Sequence, residues 1–194
     1  MRIFSKELLS KQGNAIEYTT PGTYQFYLPQ RTRAKITLVG SGQYRTMSYS
    51  RYTGTFYYSG GSGGAFVGGV YLPAGPYSVY VGHAYEGPKT NNEYGYAYYG
   101  EGEWTRLSNS SGVLITAGAY AGLSQPYNEK ANGGIIEKSS NLEIIYGTVE
   151  LEVTGQYSFE SNGTGGASRY NGWGRGADYN GQNYTNGYFK LEYI

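Results

Sequence analysis

His83 and Asp178 are the only histidine and the only aspartate in this chain. A proton relay through His83 needs a second positioned group to work with it. A calcium loop draws several Asp or Asn side chains into a tight register, and Asp178 has no such company. Glu86, Glu93, Glu101 and Glu103 lie close together in the sequence. They are the one set that paired-carboxylate chemistry such as glycoside hydrolysis would have to use. Set among tyrosines and glycines, they read instead as solvated charges that keep an aromatic surface soluble. The stretch GSGGAFVGG at 61–69 superficially has the look of a phosphate-binding loop. No helix follows it to offer an N-terminus, and no Gly-Lys-Ser closes it. The expectation is a protein without catalytic residues, metal or cofactor.

Recognition chemistry is abundant. Of 194 residues, 25 are tyrosine and 32 glycine, concentrated between short apolar runs at 40–61, 82–102 and 155–187. Tyrosine offers a large stiff surface with a polar tip, and glycine opens backbone angles closed to other residues. Rigid aromatics on adaptable segments are the composition of paratopes. The candidate contact residues are Tyr44, Tyr49, Tyr52, Tyr57, Tyr58, Tyr96, Tyr98, Tyr99, Trp104, Tyr170, Trp173 and Tyr179. Such rings stack on the apolar face of a sugar while neighbouring Asn, Gln and Glu bond its hydroxyls. The same rings can pack on one another and hold long segments in place. Both readings stand.

Charge narrows the partners. The formal net charge is +1, with 15 basic and 14 acidic residues spread along the chain. No basic stripe is present to neutralise phosphates, so nucleic acid is not an expected partner. The absence of cysteine excludes disulfides and thiolate metal sites and suits folding in a reducing cytoplasm. The opening MRIFSKELLSKQGN lacks the continuous apolar run of a secretory signal, and no stretch reaches membrane-spanning length. The N-x-[ST] triplets at Asn109, Asn162 and Asn183 are therefore chance matches.

The elements that must position these residues are mostly strands. Residues 1–15 are expected to form a short N-terminal helix or arm, capped by Ser5, with Leu8 and Leu9 as its apolar patch and Gly13 as its stop. At that length it needs something to dock on, either its own domain or a larger assembly. Period-two alternation then appears in GTYQFYL (Tyr24, Phe26, Leu28) and AKITLVG (Ala34, Ile36, Leu38). It returns in YSVYVG (Val79, Val81) and YFKLEYI (Phe189, Leu191, Tyr193). VLITAG at 113–118 is uniformly apolar, as in a strand buried on both faces. LEIIYGTVELEV at 142–153 reads as one more strand. Gly68-Gly69 suggests a bulge or bend within GGAFVGGVYLP. Short strands punctuated by Gly and Pro predict an all-β fold, a single jelly-roll-like β-sandwich over 16–194 carrying long Gly/Tyr-rich loops.

The order of these motifs resembles a known family. PGTYQFYLP, AKITLVGSG, SGGSGGAFVGGVYLPAG, YSVYVG, the ITAG at 115–118 and the closing GYFKLEYI are together similar to the glycine-rich domain of bacteriophage tail-fibre adhesins. The resemblance runs in order through most of 16–194, and its motifs are distinctive as a set rather than singly. It implies a β-sandwich on a phage virion, made in the bacterial cytoplasm, whose variable loops touch the host envelope. Many relatives also stack oligoglycine segments as polyproline-II-type helices. This chain departs there, with YRTMSYSRYTGTFYY in place of oligoglycine, so a tyrosine-faced loop surface is expected instead of a glycine-helix layer.

Two functions follow as expectations. One is a tail-fibre or other appendage subunit that recognises a host-surface glycan or outer-surface protein. The other is an architectural virion subunit (a capsid decoration, head fibre or tail component) whose tyrosines bury against other virion proteins. Self-association is compatible with either.

Overall fold

The structure, a computed structural model, describes residues 15–43, 46–50, 54–58, 61–92, 95–118, 134–153, 170–175 and 184–194. For residues 46–50, 54–58, 85–92 and 95–101 it describes the backbone placement. Among the described residues the strands are β1 (Ala15–Tyr18), β2 (Gly22–Leu28), β3 (Thr32–Val39), β4 (Thr46–Ser50), β5 (Gly54–Tyr58), β6 (Ala65–Leu72), β7 (Gly75–Val81), β8 (Ala84–Asn92), β9 (Gly95–Gly102), β10 (Thr105–Asn109), β11 (Gly112–Ala117), β12 (Ile136–Lys138), β13 (Glu143–Ile144), β14 (Leu151–Val153) and β15 (Tyr188–Tyr193). No helix occurs among the described residues. The expected N-terminal helix falls within 1–14, outside them, and Ala15 opens β1.

Two antiparallel sheets make the sandwich. The first is ordered β1-β15-β3-β6-β13, with β14 also on β6; the second is ordered β12-β11-β10-β7-β2. Alternation decides what lies between them. Ala34, Ile36 and Leu38 of β3, Phe66, Val70 and Leu72 of β6, and Phe189 and Leu191 of β15 face Phe26, Leu28, Tyr77, Val79, Val81, Leu107 and Ile115 from the second sheet. Most of these side chains are wholly out of solvent. Each large one contributes on the order of 1.5–3 kcal/mol by leaving water. Along the β1/β2 side, Tyr18 stacks on Tyr24 with ring centroids 4.1 Å apart, closing the seam between the sheets.

Two local expectations are corrected. The stretch 142–153 is not one strand: β13 and β14 pair with β6 separately, and a turn at Ile145–Thr148 with Gly147 in the left-handed region intervenes. The extra residues belong to this edge rather than to Gly68-Gly69, since β6 keeps one unbroken register with β3 from Thr32↔Leu72 to Val39↔Ala65. Gly69 instead makes room. The Thr148 hydroxyl sits against it, accepting from the Gly69 N–H at 3.1 Å and donating to the Ile145 carbonyl at 2.6 Å. Ion pairs Arg31–Glu143, Lys35–Glu150 and Lys138–Glu152 run along the same edge.

Much of the tyrosine-rich sequence expected as loop is also strand. β4 pairs antiparallel with β5 and β8 with β9, and the two pairs join through β4 and β9 into a third sheet, ordered β5-β4-β9-β8.

Candidate recognition surface

The two ends of the sandwich differ in kind. At one end the strands are joined by turns at 29–31, 73–74 and 110–111, and Ala15 and the C-terminal Ile194 both lie there. At the other end β3, β7, β11 and β14 run out into four long excursions, 40–64, 82–104, 118–135 and 154–187, which return to β6, β10, β12 and β15. Antiparallel pairing makes this polarity unavoidable once short turns take the first end, because every long connection must then leave from the second.

The roots of the excursions are bound together. Gly40 N–H donates to Gly64 O, Gly63 N–H to Gly174 O, Gly64 N–H to Gly118 O and Gly134 N–H to Ser62 O, each at 2.9 Å. Gly118 N–H donates to Ile135 O at 2.9 Å and Gly187 N–H to Gly82 O at 2.8 Å. The segments come so close that a Cβ on Gly134 would overlap the Gly118 carbonyl oxygen. Glycine here serves backbone proximity rather than a turn. Glu103 joins this neck from the side: its carboxylate accepts from the Tyr80 hydroxyl and, at 3.1 Å, from the His83 backbone N–H. Gln43 N–H donates to Gly61 O at 2.8 Å, which closes the mouth of the first excursion.

Beyond the neck, the register of the third sheet brings the candidate tyrosines together. Tyr49 lies directly opposite Tyr96, and Met47 lies between Tyr57 and Tyr98 in one cross-strand row. Pairing across an antiparallel ladder keeps partners on one face, so Tyr49, Tyr57, Tyr96 and Tyr98 share a face with Met47. Alternation puts Tyr58 and Tyr99 on the opposite face. Tyr44, Tyr52 and Tyr179 lie outside the described residues, as do Asp178 and Glu93. Glu86 and Glu101 fall one position out of step on β8 and β9. Among the described residues no group of three His, Asp or Glu could hold a metal ion.

No protein-family model and no curated protein matches the chain. What this surface does is therefore read from its own residues.

The remaining candidates pack within the protein. Tyr170-Asn171-Gly172-Trp173 is a tight turn in which Asn171 and Gly172 both have positive φ, 45° and 93°, as an Asn-Gly hairpin of type I′ requires. The Trp173 N–H donates to the Tyr170 carbonyl at 2.8 Å. This turn lays both rings over the outer face of the first sheet. Trp173 stacks on Tyr188 at 5.1 Å, and Tyr170 stacks on Tyr188 at 6.5 Å, beside Val39 and Ala65. Trp104 stands in the neck, where Gly118 packs against its indole and the Arg106 guanidinium lies 5.7 Å from the ring. Tyr188 was not among the sequence candidates. Its period-two position in the closing strand hid its role, because the face it lies on reads as the solvent face until the Asn-Gly turn covers it.

Tyr188 yields a test of this packing. Its hydroxyl donates to Glu17 Oε1 at 2.7 Å. Burial first, and then that hydrogen bond, push the phenol well above the usual tyrosine range. A folded pKa raised in this way contributes stability that is complete below the unfolded value of about 10 and is lost as pH climbs toward the folded value. Urea midpoints should therefore fall between about pH 9 and pH 11. Tyr188→Phe should be less stable at neutral pH yet show a shallower alkaline fall. Parallel declines in the two proteins would remove Tyr188 as the cause.

Proposed function

We propose that this chain is a bacteriophage virion appendage protein that recognises a host surface, a glycan or an outer-surface protein, through the tyrosine face of its third sheet. The observation that supports this most is the polarity of the fold. Four excursions rich in Tyr and Gly leave one end, while Ala15, which opens β1, lies at the other, where residues 1–14 would tether the domain to its virion neighbours. That turn end also bears a groove of about 430 Å³ between Tyr27, Arg31, Arg33 and Tyr193, suited to such a neighbour. The resemblance of the motif order to tail-fibre adhesin domains points the same way. Each tyrosine contact is weak, and many copies on one particle supply avidity.

The test is binding of the purified protein, multimerised on a bead, to intact host cells. The control replaces 46–58 with a short turn and keeps Gln43 and Gly61, whose hydrogen bond already holds the two ends of that excursion together. Saturable binding that disappears in the control is the expected result. A folded wild-type protein that never binds would overturn the recognition reading and leave the tyrosine face to a neighbouring virion subunit.

A further inference from the structure

A sheet edge is a row of unpaired backbone groups that invites another strand, and proteins protect edges with charge, proline, bulges or shortness. Most edges of this fold are protected in those ways. β12 is three residues long with Glu137 and Lys138 exposed. The β13–β14 edge is broken by its turn and carries Glu143, Glu150 and Glu152. β8 has Pro88, Lys89 and a register shift between Glu86 and Lys89. β1 is four residues long and carries Glu17.

β2 has none of these devices. Over seven residues, GTYQFYL, it holds no charge and no proline, and it pairs with β7 in one unbroken register from Gly22↔Val81 to Leu28↔Gly75. Among the described residues it is hydrogen-bonded to a neighbouring strand on one side only. Thr23, Gln25 and Tyr27 are exposed on its outer face, Tyr27 to 61%. β5 is the other neutral edge, and it is shorter.

We propose that β2 is a self-association site: two copies pair antiparallel through this strand about a two-fold axis at Gln25, joining their five-stranded sheets into one continuous sheet. The sequence of β2 is complementary to itself in that register. Gln25 meets Gln25 of the second copy, where two amides can bond each other. Thr23 meets Tyr27 on the outer face, an aromatic–β-branched pair of the kind that stabilises antiparallel ladders. Tyr24 meets Phe26 on the core side. No like charges oppose each other, and a two-fold interface needs this self-matching because the same patch serves both copies. The exposed Tyr27 ring is covered twice, once on each side of the axis. A foreign strand would satisfy the backbone equally well, but it would have no reason to match these three positions.

Sedimentation velocity of the full chain over a concentration series tests this. A monomer–dimer equilibrium is expected, and Gln25→Lys and Gln25→Glu, on an exposed side chain, should each weaken the dimer by about tenfold or more through like charges at the axis. Mixing the two variants should restore the dimer. The register has its own test, because the chain has no cysteine. Gln25→Cys should form an interchain disulfide on oxidation, since directly opposed residues place their Cβ atoms about 4.5–5.5 Å apart. Thr23→Cys, opposed by Tyr27, should not. A wild-type protein that stays monomeric overturns the proposal. So does a dimer indifferent to both charges, a mixture that stays dissociated, or crosslinking at Thr23→Cys in place of Gln25→Cys.

Discussion

A Gly134→Ala variant is expected to lose about 3 kcal/mol of stability, read as a lower urea midpoint with an unchanged slope. The added methyl has nowhere to go, because it would overlap the Gly118 carbonyl oxygen, which is backbone and cannot swing aside. That oxygen already accepts from Gly64 N–H at 2.9 Å. Gly134 N–H donates to Ser62 O, and Gly118 N–H donates to Ile135 O, both at 2.9 Å. Parting the two segments therefore stretches several buried hydrogen bonds together, each worth about 1 kcal/mol net. Gly147→Ala makes an informative contrast. Gly147 has φ of 75° and no atom within 4 Å of an added Cβ, so its cost is the conformational penalty alone, about 1–2 kcal/mol. A Gly134→Ala midpoint no lower than that of Gly147→Ala would show that the neck is looser than its hydrogen bonds imply.

The second large effect concerns recognition rather than folding. Tyr49→Ala and Tyr96→Ala, on positions directly opposed across β4 and β9, should each lower host-cell binding about tenfold or more. The double variant should lose less than the product of the two, because residues in contact with one ligand do not contribute independently. Tyr58→Ala and Tyr99→Ala, on the opposite face by alternation, should leave binding close to wild type. This face-dependent pattern separates recognition by one sheet face from general stickiness of a tyrosine-rich chain. Equal losses on both faces would count against the third sheet as the contact surface. Self-association through β2 is read in a different assay, so either proposal can fail without the other.

The sandwich core was legible in the sequence because period two is a local property. Tyr24, Phe26 and Leu28, or Phe189 and Leu191, announce a buried face without reference to any partner strand. Turn chemistry was legible on the same grounds, as at Pro73-Ala74-Gly75, where β6 passes to β7. The tyrosine strands were harder to see. TMSYS shows only two alternating apolar positions, Met47 and Tyr49, and GTFYY ends in three aromatics in a row, so neither marks a strand clearly. Joining them into a sheet depends on the second excursion, where Gly95–Tyr98 pair with Met47–Ser50. The Asn171-Gly172 pair is a short-range hairpin signal, and reading it would have tied Tyr170 to Trp173 from the start.

Composition and pattern thus determined the class of fold, the alternation that fills its core, and the absence of cysteine and of a second histidine or aspartate. Those are properties of single residues and of neighbours within a few positions. Which tyrosines share a face, why glycines recur at the strand ends, and which edge stays unprotected were decided by the tertiary structure. Each depends on segments far apart in the chain coming within hydrogen-bonding distance. Gly134 shows the reason: alone in the sequence it reads as one more flexible residue, and only the carbonyl of Gly118 lying against it makes glycine obligatory there.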